Sequence, residues 1–139
     1  MVFDSSAAPT DREGFLAWYR QQTRWAEGHD YNDPNTCSPP LNAWFMSMIQ
    51  EFPPMNGPLR SESAEVPWVT SYSIGRSIIY IAFAWSVAER AYHATFDAAK
   101  AEGLGFFDAS GRDGEVWMMI AGDHYACVHK GWPDGALDG

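Results

Sequence analysis

The run SIIYIAFAW, residues 77–85, restricts the fold more than any other stretch. It is apolar on both faces of an extended chain, with Ile79, Ile81 and Phe83 on one side and Ile78, Tyr80 and Ala82 on the other. A strand with no polar face belongs inside a sheet that is covered on both sides. The preceding WVTSYSIG reaches it through Gly75 and Arg76, so the two read as a β-hairpin. The remaining elements must then supply the cover and the neighbouring strands.

Helical periodicity supplies the cover. In TDREGFLAWYRQQTRWAEG, Thr10 and Glu13 have the spacing of a reciprocal capping box. Phe15, Leu16, Tyr19 and Thr23 share a face, Trp18 and Trp25 flank it, and Gly28 suits the left-handed position after the last turn. Ser38 and Pro39 open a second helix, with Leu41, Trp44, Phe45, Met48, Ile49 and Phe52 on its stripe and Pro53-Pro54 as its stop. Ser86 and Glu89 form a further capping box ahead of a third helix, whose Ala88, Ala91, Thr95 and Ala98 allow close approach to a sheet. That helix ends at Gly103.

MVFD reads as a short first strand, LGFFD as a strand after the third helix, and GEVWMMI as another after a turn at Asp113-Gly114. PPMNGPLRSESAEVP has no periodicity and reads as a surface loop. From Ala121 onward the chain fits either one more short strand or a loose tail over 121–139. The order β-α-α-β-β-α-β-β lacks regular βαβ units. It predicts a single α+β domain over 1–139, a mainly antiparallel sheet with three helices against it.

Eighteen acidic against nine basic residues leave a net charge of −9. Nucleic-acid binders cluster Lys and Arg, whereas here the only lysines are Lys100 and Lys130, so no nucleic-acid partner is expected. Acidity of this size steers basic partners. Two cysteines make no disulfide framework. MVFDSSAAPTDRE has neither a basic start nor an apolar core, and no run is long enough for a membrane helix, so a cytoplasmic protein without a membrane partner is expected.

The most reactive-looking segment is WAEGHDYNDPNTCSPP, residues 25–40. His29, Asp30, Asp33 and Cys37 are ligand types, but their spacing fits no zinc or calcium pattern. Asp30, Asn32, Asn35 and Asp33-Pro34 are turn formers, which makes the segment a helix-helix connector. His124, Cys127 and His129 lie within six residues; an extended strand would put the last two on one face and His124 on the other. Cys127 with His93 or His29 is a conceivable nucleophilic pair, with nothing to mark either thiol as activated. No G-x-S-x-G, H-E-x-x-H or phosphate-binding loop occurs, and no catalytic residue, cofactor or metal is assigned. Trp18, Trp25, Trp68 and Tyr72 are candidate recognition aromatics or rim residues of the core.

FLAWYRQQTRWAEGHDYNDP, WFMSMIQEFPPMNGP and IYIAFAWSVAERAYHATFDAAKAEGLGFFDASGRDGEVW resemble a family of small bacterial proteins. Some members are encoded beside polymorphic or secreted toxins and look like immunity proteins. The resemblance covers residues 10–120 and rests on structural motifs: a strand ending in FAWSVAE, a helix, then GLGFFD and a glycine turn. Relative to the family, MVFDSS is a shortened first strand. The resemblance implies a non-catalytic protein that occludes the active site of a cognate toxin with a basic surface. Trp25, His29, Asp30, Tyr31 and Asp33 in the connector, Glu62 and Glu65 in the loop, and Asp108, Asp113 and Glu115 at the late hairpin are its candidate contacts. The alternatives are an interaction or assembly domain, with WVTSYSIG as a self-associating edge, and a small metal-dependent enzyme using His29, Cys127 or His129.

Overall fold

β1 (Val2–Phe3) holds the centre of the sheet although it is only two residues long. The computed structural model describes residues 1–60 and 67–132. Along the chain follow α1 (Arg12–Gln22), α2 (Pro39–Met48), β2 (Ser71–Ile74), β3 (Ile78–Ala82), α3 (Ala88–Ala101), β4 (Gly105–Phe107), β5 (Val116–Ala121) and β6 (His124–His129). The six strands form one antiparallel sheet in the order β2-β3-β1-β4-β5-β6. The expected α+β class is therefore observed, with β6 added from the stretch that sequence left open.

The sheet separates two cores, because successive residues of a strand point to opposite faces. Phe3, Ile78, Phe107, Val116 and Met118 face α1, which contributes Phe15 and Leu16. Val2, Ile79, Phe106, Trp117 and Met119 face α2 and α3, whose Leu41, Trp44, Phe45, Met48, Ala91 and Ala99 complete that side. Phe3, Phe15 and Phe107 are fully buried. Each such ring removed from water contributes roughly 2–3 kcal/mol. Small residues let α3 approach: Ala91, Thr95 and Ala99 are its buried positions, so the face is turned by one residue from the expected Ala98. Thr95 remains satisfied by donating its hydroxyl to the Ala91 carbonyl at 2.7 Å.

Helix termini depart from the sequence reading where capping depends on backbone angles. α1 is capped by Asp11, not Thr10. Asp11 is the residue in extended geometry, and its carboxylate accepts from Gly14 N at 2.8 Å. The helix ends at Gln22, with Thr23 donating to the Tyr19 carbonyl; Gly28 has its positive φ farther on, in the connector. α2 starts at Ser38 as expected, although the serine side chain makes no capping bond. Ser86 caps nothing: it lies within a 3-10 turn, Trp85–Val87, and α3 begins after it, with Glu89 in the first turn where the helix dipole favours an acid.

β3 is central only over its first half. Ile78 and Ile79 are buried, but Tyr80 and Ile81 are half-buried and Ala82 is exposed. The expected cover fails there because β1, its neighbour, pairs no farther than Ile79.

Candidate binding surface

The connector between α1 and α2 is built inward on itself. Glu27 Oε1 lies 2.7 Å from His29 Nε2 and accepts from the backbone N–H of Arg76 at 3.1 Å, tying the connector to the β2–β3 turn. His29 Nδ1 is 2.9 Å from the Asp30 carbonyl, and its ring lies 4.6 Å from that of Tyr31. With both ring nitrogens facing acceptors, the imidazolium is favoured: the Asp30 carbonyl first, and then Glu27, raise the His29 pKa above its ordinary value. The Tyr31 hydroxyl accepts from Glu27 N at 2.6 Å, and the Tyr31 carbonyl accepts from Ile74 N at 2.7 Å. Trp25, at φ 54°, packs edge-on to Tyr31 over the α1 core. Asp33 caps the turn Pro34–Thr36 by accepting from Asn35 N at 2.9 Å. Of the five connector candidates, Asp30 alone is exposed; the other four stabilise the bend.

Of the late-hairpin candidates, Asp113 is exposed, while its carbonyl accepts from Gly131 N at 2.6 Å. Glu115 accepts from the Trp117 indole at 3.3 Å. Asp108, just beyond β4, is half-buried, and burial raises its carboxyl above the usual range. Glu62 and Glu65 lie outside the described residues.

The cysteines and histidines do not converge. A bulge in β6 makes Cys127 the partner of Trp117 and His129 that of Val116. Cross-strand partners share a face, so Cys127 turns toward the α3 side and His129 toward α1, where its ring lies 5.4 Å from Phe15. The expected common face is thus lost to one extra residue. Burial pushes the Cys37 thiol up to about 11, and burial followed by Glu115 raises Cys127. Both are thiols at neutral pH and therefore weak nucleophiles. Among the described residues no group of three His, Cys, Asp or Glu side chains is placed to hold a metal ion. No helix among them is long and apolar enough to cross a membrane.

Of the aromatic candidates, Trp18 and Tyr72 belong to the core and its rim. Trp18 packs on Phe3 and Phe15. Tyr72 is buried and donates its hydroxyl to the Phe52 carbonyl at 2.7 Å. Trp68, by contrast, precedes β2 and leans on Phe52 at 5.7 Å while remaining exposed, so it stays a candidate surface aromatic. The WVTSYSIG edge is also partly covered, since Ile74 N bonds Tyr31 O and Thr70 exchanges bonds with Pro53 and Met55.

One aromatic that the sequence reading passed over stands apart: Trp85 is 95% exposed. It projects from the 3-10 turn before α3, beside a cavity of about 350 Å³ whose lining includes Ile81, Tyr92, Phe106 and Asp108. Tyr92 is itself exposed, and its ring meets Phe106 edge-on at 5.3 Å. Burial raises the Tyr92 phenol, and the carboxylates of Asp108 and Glu115 add to that rise; the Met1 α-amino group lines the same cavity and acts on Asp108 with the opposite sign. The signal in the sequence was the position of Trp85, after the period-2 strand and ahead of the helical stripe, where neither pattern buries it. Comparison with known proteins gives no match: no family model, no curated protein and no solved structure is similar to the chain.

Proposed function

We propose that this is a non-catalytic binding protein of the immunity type, which neutralises a cognate bacterial toxin in the cytoplasm by covering its active site. Trp85 is the observation that supports this reading most. A fully presented tryptophan is costly to leave in water, and tryptophan anchors protein interfaces more often than most residues. The second element is the acidity of the chain, whose net charge is −9, with Asp108 in the lining of the cavity beside Trp85. That acidity suits a toxin whose active cleft is basic and would speed association with it. Asp30 and Asp113 are exposed acids elsewhere on the molecule. Two free cysteines, Cys37 and Cys127, accord with a reducing compartment.

The test is co-expression with the product of the adjacent gene. Rescue of growth and co-purification of the two proteins as a complex are expected. A neighbour that is neither toxic nor bound overturns the reading.

A further inference from the structure

The end of β6 is tied to the start of α1 through a histidine. The ring of His129 stands beside Arg12, with Nδ1 3.1 Å from a guanidinium nitrogen and its centre 5.4 Å from that of Phe15. A guanidinium has no lone pair to offer, so Nδ1 must accept and the ring must be neutral, with its proton on Nε2. That Nε2 is buried and has no partner among the described residues, which leaves Arg12 as the ring's only hydrogen bond among them. The same guanidinium donates to the Gly114 carbonyl at 2.8 Å and to the Gly131 carbonyl at 2.7 Å, and it stacks over the Trp132 ring. Trp132 in turn packs on Phe107 at 5.7 Å, donates to the Gly111 carbonyl at 3.3 Å and fills the space beside Gly114 where a β-carbon would stand. Gly131 and Trp132 are therefore held by a cation that keeps its place only while His129 is neutral.

We propose that His129 is the catch of a pH-sensitive latch: a proton on Nδ1 parts the ring from Arg12 and releases Gly131 and Trp132 from α1. The protonated ring sets donor against donor and like charge against like charge. Because the guanidinium fork is planar and rigid, moving away from Nδ1 also withdraws it from the two carbonyls. Among the described residues, the charged groups that act on the ring come from the start of α1: Arg12 opposes the proton and Asp11 favours it. On the other elements against the ring, Val116 of β5 is apolar and Glu115 turns to the Trp117 indole. Arg112, Asp113 and Lys130 are exposed. Burial, and then Arg12, hold the His129 pKa below its ordinary value. The latch is thus fully closed above the ordinary histidine pKa and loosens as pH falls toward the lower value of the closed form. Opening uncovers one side of the Phe107 ring, an apolar patch that the neutral protein keeps covered.

The test follows amide exchange at Gly131, whose N–H bonds the Asp113 carbonyl, across the histidine range and below it in the full chain. The Leu104 amide, which bonds the Ala99 carbonyl in the core, reports global unfolding in the same experiment. Once the intrinsic pH dependence of exchange is divided out, Gly131 should be less protected than Leu104 throughout, as a local opening requires. Its protection should fall by up to about tenfold for each pH unit below the ordinary histidine value and level off once His129 itself is protonated. The Trp132 indole resonance should move toward its solvent-exposed position in step. His129→Gln keeps a neutral acceptor for Arg12 at every pH, so in that variant the protection of Gly131 should stay flat over the same interval. Constant protection at Gly131 while the His129 resonances titrate overturns the proposal. So does protection equal to that of Leu104, since the segment then opens only with the whole fold. An unchanged pH dependence in His129→Gln overturns it as well, because the proton then acts elsewhere.

Discussion

The ring of Phe3 on β1 lies directly over the α-carbon of Gly105 on β4, in the space a β-carbon would occupy. Both residues are buried at the centre of the sheet, so the ring has no free direction in which to move. Gly105→Ala should cost about 1–3 kcal/mol, the usual range for overpacking a core. Denaturant unfolding checks this, and a cost within error of zero would show that β1 is less firmly seated.

Trp44 joins the two helices on the opposite face. It is fully buried, and its indole donates to the Thr95 carbonyl at 3.2 Å. Trp44→Ala should destabilise by about 3–5 kcal/mol through the cavity it leaves. Trp44→Phe should cost less, keeping most of the packing while losing the hydrogen bond. Equal losses would mean that packing contributes little at this site.

Two histidines make opposite contributions to the pH dependence of stability. His29 is raised by the Asp30 carbonyl and Glu27, so its stabilisation is complete below the ordinary histidine pKa and fades as pH rises through the higher folded value. His129 is lowered, by burial and then by Arg12, whose guanidinium lies 3.1 Å from its Nδ1. Its stabilisation is complete above the ordinary value and is lost as pH falls through it. Histidine resonances followed against pH should place His29 above and His129 below the ordinary value; the reverse order contradicts the geometry.

Arg12 fastens the end of the described chain to α1. Its guanidinium donates to the carbonyls of Gly114, at 2.8 Å, and Gly131, and lies 5.5 Å from the centre of the Trp132 ring. Arg12→Ala should cost about 1–3 kcal/mol, the range for hydrogen bonds to a charged group. It should also raise amide exchange at Gly131, which bonds Asp113 O. Unchanged exchange would place the fastening elsewhere.

Much of this fold was legible in the sequence because it is written locally. Ser38-Pro39 and the spacing from Leu41 to Met48 marked α2, and Gly75-Arg76 marked the β2–β3 hairpin. What escaped depends on partners distant in the chain. The partial burial of Ile81 follows from how far β1 pairs with β3, and the separation of Cys127 from His129 follows from a bulge opposite Val116 and Trp117. Asp30 and Asp33 have the composition of turn formers, and Asp33 is one. Tyr31 turns inward instead of presenting a contact because its hydroxyl accepts from Glu27 N, a pairing that spacing alone does not reveal. Trp85 ends the apolar run SIIYIAFAW, and the 3-10 turn that precedes α3 turns it out to solvent.

Because Trp85 touches solvent almost all round, Trp85→Ala should leave stability within about 0.5 kcal/mol of the wild type. Any fall in partner affinity in that variant is then a property of the surface. A matching fall in the unfolding midpoint would instead make Trp85 a structural residue.

The central claim is that the protein acts stoichiometrically through its exterior. Titrating the activity of the toxin proposed as its partner with increasing amounts of this protein tests it most directly. A linear decline that ends at one equivalent, unchanged by longer incubation, is the expected result. Inactivation by a small fraction of an equivalent that deepens with time would reveal turnover and contradict the account.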